Sequence, residues 1–154
     1  MTVAEHFRAV LADLPRRGLT DDILALEPCF AETSDPALQA ESAKLLGFYW
    51  LRRGDPVRAI RWSDRAQERL PHDADAAYNA LYARFMLRRW DEVVDRARVA
   101  LARHGDNFLL HGILAACLGA LGRLPEARLA GTRCLAAKDA AATGTACDPT
   151  IIPV

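Results

Sequence analysis

Long apolar runs are missing from this chain. No stretch approaches the roughly 18 residues that a membrane span needs, so no such span is expected. The first residues, MTVAEHFRAVLADLPRRG, lack a basic start followed by an unbroken apolar segment, and so do not read as a secretory leader. A cytoplasmic location is the resulting expectation. Cysteine is sparse, and Cys29, Cys117, Cys134 and Cys147 form no CxxC pair or metal-finger spacing. Cys117 and Cys134 read as small buried hydrophobes, and a reducing compartment argues against a bridge between them. Charge imbalance is absent as well. Lys+Arg and Asp+Glu are equal at 20 each, so no net field draws the chain toward nucleic acid or a membrane surface.

Signatures of catalysis are equally scarce. His6, His72, His104 and His111 are scattered, and none shares a helical face with a second ligand at metal-binding spacing. His111 reads as a satisfied core histidine. Ser34, Ser42 and Ser63 have no nucleophile context, and no glycine-rich phosphate loop occurs. Neither an enzyme nor a cofactor or metal site is expected. Arg58, Arg61, Arg65 and Arg69 run down one outward helix, with Arg88, Arg89, Arg96 and Arg103 beyond. Asp64, Glu68, Asp91, Glu92 and Asp95 are interleaved with them, which favours a solvated, partly paired surface over a nucleic-acid interface.

What the chain does have is enough apolar residues to fold, 51 % against 26 % charged, and a regular spacing of small ones. Leu46-Gly47, Trp50, Gly54, Ala59, Ala66 and Pro71 form one line. A step of 34 residues leads from Leu46 to Ala80, and a second step of 34 leads to Leu114, with no gap needed. The second line holds Leu81, Arg84, Arg88, Val93, Ala100 and Gly105. The third holds Ala115, Leu118, Gly122, Ala127 and Cys134. Such a short helix–turn–helix unit cannot bury its apolar side alone, so neighbouring units must share a core.

Local signals agree. Val3, Phe7, Val10, Leu11 and Leu14 make one helical stripe, ended by Pro15-Arg16-Arg17-Gly18. Thr20 is a candidate N-cap for a second helix that Pro28 should kink or shorten. Asp35-Pro36 and Asp55-Pro56 each place a cap before a proline at the first helical position. Asp73, Trp90-Asp91, Asp106 and Pro125 mark four further starts, the last helix running to about Lys138. The remainder, AAATGTACDPTIIPV, loses the period.

The lines ESAKLLGFYWLRRGDPVRAIRWSDRAQERLP and LLHGILAACLGALGRLPEARLAGTRCLAA resemble tetratricopeptide repeats. The line between them resembles the family less, because Leu81 replaces a small residue and Arg84 stands where a buried apolar side chain is usual. Either Arg84 pairs with a carboxylate such as Asp91 or Asp95, or that helix is rotated. The resemblance implies an all-α, right-handed solenoid of antiparallel helix pairs. It divides the chain into a helical cap at 1–35, three repeats at 40–73, 74–107 and 108–141 within 36–141, and a tail at 142–154 that is flexible or folded back.

By the same resemblance, the first helix of each repeat lines a concave face. That face would carry Lys44, Phe48 and Leu51, then Tyr78, Asn79, Tyr82, Phe85 and Met86, then Leu109, Gly112, Ala116 and Gly119. An aromatic wall beside small residues suits an apolar helix or extended segment of a partner protein. Lys44 and Asn79 match positions at which some family members clamp a terminal carboxylate, but Phe48, Leu109 and Ile113 are apolar where that clamp is polar. The alternative is a groove filled by the chain's own ends. The function implied is that of a protein-binding adaptor or small chaperone, architecturally similar to the small chaperones of type III secretion. A scaffold subunit using its terminal edge and Arg-rich outer face is the competing reading. Leu124, Leu129 and Leu135 on the last helix would then bind a partner or a second copy.

Overall fold

The computed structural model describes residues 2–18 and 20–142; the tail at 143–154 lies outside the described residues. Every regular element among them is helical. The described residues fall into two compact units, divided between Pro71 and His72.

The first unit begins with α1 (Val3–Arg17), a 3-10 turn (Asp21–Ala25) and α2 (Leu26–Glu32). Thr2 and Glu5 close a reciprocal capping box at the start of α1. Helix α1 ends within the expected Pro15-Arg16-Arg17-Gly18 run, with Pro15 itself still helical. The chain stays helical to Arg17 and stops at Gly18, whose left-handed φ of 66° lets its N–H reach the Leu14 carbonyl. Thr20 makes no side-chain cap, and Pro28 sits in the first turn of α2, where its missing N–H leaves nothing unpaired.

Helices α3 (Pro36–Arg52) and α4 (Pro56–Arg69) follow, each begun by the Asp-Pro signal. The Asp35 carboxylate accepts from the Ala37 N–H, and that of Asp55 from the Arg58 N–H. The two helices pack through small residues: Ala43, Ala59 and Ala66 are wholly buried. Gly47 is the point of closest approach. A Cβ there would lie 2.5 Å from the Ser63 Oγ and 3.1 Å from the Ser63 N, so only glycine fits. The cap helices pack on this pair. Tyr49 donates to Asp21 at 2.6 Å, Arg53 pairs with the same carboxylate, and Phe30 meets Trp62 edge-on at 5.2 Å.

The second unit holds α5 (Ala74–Met86), α6 (Trp90–His104), α7 (Phe108–Ala120) and α8 (Leu124–Ala142). Its core joins Leu81 of α5 to Val93, Val94 and Ala97 of α6 and to Leu110, Leu114, Cys117 and Leu118 of α7. The N-cap of α7 is Asn107, which accepts from Leu109 and Leu110, rather than Asp106. Asp106 instead receives the His111 ring nitrogen Nε2 at 3.0 Å, while the buried His111 Nδ1 has no partner among the described residues. The core histidine is therefore only half satisfied. Helix α8 runs to Ala142, past the expected end near Lys138.

Arg84 is buried at 3 % exposure and paired, so α5 keeps its expected orientation. It pairs with Glu92: Nε donates to Glu92 Oε1 at 3.0 Å and a terminal nitrogen to the Ala80 carbonyl at 3.0 Å. Arg89 and Arg96 pair with the same carboxylate. Burial works against ionisation of Glu92, but the Arg84 hydrogen bond and the three guanidinium charges outweigh it and hold the carboxyl below its ordinary range.

Candidate protein-binding face

Helix α5 exposes one stripe incompletely. Tyr78, Tyr82 and Phe85 lie at i, i+4 and i+7 and are each half-buried. Their rings form a row, with Tyr78 and Tyr82 centroids 5.9 Å apart and Tyr82 and Phe85 also 5.9 Å apart. Trp90, from the start of α6, extends it with its ring 5.1 Å from that of Phe85. Sequence reasoning does not include Trp90, because it opens the second helix of a repeat rather than lining the first. One side of the row packs on the core of the unit; the other remains accessible. Burial pushes the Tyr78 phenol up to about 12, with the Tyr82 phenol adding to the shift.

Helix α7 packs directly on α5 within the same unit. A step of 34 residues places Gly112, Ala116 and Gly119 in register with Tyr78, Tyr82 and Phe85. Ala116 and Gly119 are exposed, and a Cβ at Gly119 would meet nothing within 4 Å. A Cβ at Gly112 would make ordinary contact with the Cys134 Sγ at 3.5 Å. Neither glycine is demanded by packing among the described residues, although glycine within a helix costs about 0.5–1 kcal/mol relative to alanine. Met86 and Leu109 are half-buried on these two helices. The result is a row of flat rings beside a strip of nearly bare backbone.

Other residues expected at this face are placed differently. Asn79 is buried in α5, and Phe48 and Leu51 are buried at 8 % and 9 % exposure in α3, which belongs to the first unit. Lys44, also on α3, is half-buried and engaged with a neighbour. These four are not part of the exposed stripe of the second unit.

The arginine column on α4 has a structural use. Arg58 lies over the Trp50 ring at 4.6 Å, Arg65 over Trp62 at 4.8 Å, and Arg69 over Phe30 at 4.9 Å. Three of its four guanidinium groups thus cover rings of the first unit, a use that charge counting along the sequence does not reveal. Among the described residues no three His, Cys, Asp or Glu side chains gather to hold a metal, and no helix is long and apolar enough to cross a membrane. Cys29, Cys117 and Cys134 are unbridged.

No family model matches the sequence, and no curated protein matches it either. Solved structures do. The MamA structure designated MSR-1 aligns with a TM-score of 0.76 at 18% identity, covering 92% of this chain and 79% of that one. The MamA structure designated AMB-1 aligns over 100% of this chain and 80% of its own, with a TM-score of 0.74 at 18% identity. A point mutant of MamA aligns with a TM-score of 0.60 at 19% identity, over 89% of this chain and 98% of that one. At such identity the likeness shows the fold alone: an all-α, tetratricopeptide-like succession of helix pairs.

Proposed function

We propose that the chain is a non-catalytic protein-interaction module, an adaptor or small chaperone, that holds an apolar helix or extended segment of another protein along α5 and α7. The observation that carries this reading is the half-exposed Tyr78–Tyr82–Phe85 row beside Gly119, whose missing side chain opens onto free space. Aromatic rings give large contact area at little rotamer cost, and an uncovered backbone lets a second chain approach closely. The binding surface then comprises Tyr78, Tyr82, Phe85, Met86, Leu109, Gly112, Ala116 and Gly119. In this reading Phe48, Leu51 and Asn79 support the helices and do not touch the partner.

The test begins with the protein that co-purifies with this chain from its native cell. Its bound segment is mapped and synthesised as a peptide, and the peptide's Kd is measured. Tyr82→Ser and Phe85→Ser should each weaken binding by about tenfold or more, since each removes a partly buried ring from the interface. Gly119→Leu separates binding from folding. It fills space that is open in the free chain and improves helix propensity, so thermal stability should hold or rise while binding falls. Unchanged affinity in all three variants would refute the proposal.

A further inference from the structure

A second surface, independent of the α5 and α7 face, lies on the outer arc of α8. We infer that this arc is a docking site for an acidic amphipathic helix of a partner protein. Helix α6 is packed on both sides, by α5 and by α7, and Trp90, Val94, Ala97 and Leu101 belong to that packed arc. A step of 34 residues carries these four onto Leu124, Arg128, Gly131 and Leu135 of α8. Helix α8 has α7 on one side, and among the described residues no helix takes on its other side the place that α7 takes on α6. Val94 and Ala97 are almost wholly buried, whereas Leu124 and Leu135 are 54% and 65% exposed. The arc therefore continues, by sequence register, an interface already formed once inside the same unit. Gly131 stands where Ala97 lets α7 come close, and a Cβ there would meet nothing within 4 Å.

The chemistry of the occupant follows from the one position that breaks the apolar pattern. Arg128 replaces Val94 in the middle of the arc, is exposed, and has no ion pair among the described residues. A helix seated here as α7 is seated on α6 would cover that guanidinium, and an uncompensated buried charge is strongly unfavourable. The occupant must bring a carboxylate between its apolar side chains. Lys138 and Asp139, both exposed, flank the far end of the arc with opposite charges, so Arg128 sets the sign of its middle. Two copies of α8 laid face to face about Gly131 would bring two Arg128 guanidinium groups together, so a partner helix bearing Asp or Glu fits better than a second copy.

The probe is a fluorescein-labelled 18-residue helical peptide with leucines at i, i+3, i+4 and i+7 flanked by glutamates, compared with the same peptide carrying lysines. Fluorescence anisotropy with the full chain should show saturable binding of the glutamate peptide and at least tenfold weaker binding of the lysine peptide. Leu135→Glu should reduce the first by tenfold or more. Arg128→Glu should reverse the preference, whereas Tyr82→Ser should leave it unchanged, which separates this site from the α5 and α7 face. Both α8 substitutions are at exposed positions, and thermal melts confirm that they fold. Equal binding of the two peptides, or no binding, overturns the inference. So does a dimer in sedimentation that Leu135→Glu dissolves, because a second copy is then the occupant. Resistance of a monomeric Leu135→Cys variant to maleimide also overturns it, since the chain's own residues 143–154 would then cover the arc.

Discussion

Gly47 and Arg88 show how single residues set the geometry of this fold. At Gly47 the limit is space. Alanine there would drive into Ser63, whose backbone N as well as its hydroxyl lies too close to give way cheaply. Gly47→Ala should therefore cost on the order of 1–3 kcal/mol, read as a lower midpoint in urea unfolding. At Arg88 the limit is conformation. Gly54, Arg88 and Gly122 occupy the same turn in successive repeats, with φ of 75°, 57° and 74°. The left-handed region costs a non-glycine residue about 1 kcal/mol, and Arg88 is exposed. Arg88→Gly should recover roughly that amount, seen as a raised unfolding midpoint at unchanged slope. The glycines of the first and third repeats are readable from the sequence, and so is the fact that Arg88 breaks their pattern. That Arg84 would choose Glu92 is not readable. Three nearby carboxylates on α6 compete, and only the packing of α5 on α6 decides which one faces the guanidinium.

At the scale of the element, capping signals forecast the six helix starts from α3 to α8 to within two residues, and the period of small residues forecasts the pairing of α3 with α4, because volume and capping act within a few residues. One signal misleads. Asp106 reads as the cap of α7, yet Asn107 takes that place and leaves Asp106 to hold His111. Within the run that ends α1, the sequence does not say which residue stops the helix; Pro15 stays helical and Gly18 ends it. The predicted stripe on α5 is present, whereas on α3 the corresponding Phe48 and Leu51 are buried. Exposure depends on what packs from elsewhere in the chain, which a helical wheel does not contain. The desolvated groups of the second unit also make a pH prediction. The Tyr78 phenol is raised to about 12, and burial raises the Cys117 thiol from 9.0 to about 11. The unfolded chain thus loses these protons at lower pH than the folded one, so stability falls as pH rises from about 9 toward 12. Each group contributes at most about 2–3 kcal/mol to that fall. Denaturant midpoints should be level between pH 7 and 8.5, and Tyr78→Phe should make the decline above pH 10 shallower while leaving the part that begins near pH 9 with Cys117.

For the molecule as a whole, surface shape is the carrier of function in the proposed reading. Accessible apolar surface in the second unit includes the aromatic row of α5 with its α7 neighbour and Leu124, Leu129 and Leu135 of α8, with Leu87 and Val99 exposed elsewhere. The fold is legible in the sequence because it repeats; the partner is not, because what a repeat binds is set by the few side chains it leaves uncovered. The likeness to MamA structures supports the fold and leaves that question to experiment. Hydroxyl-radical footprinting of the chain, alone and with the protein that co-purifies with it, tests the central claim most directly, since Tyr, Phe and Met are among the side chains it reads. In the complex Tyr78, Tyr82, Phe85 and Met86 should lose reactivity together with Leu109. Protection confined to other helices, with those five side chains as reactive as in the free chain, would contradict it.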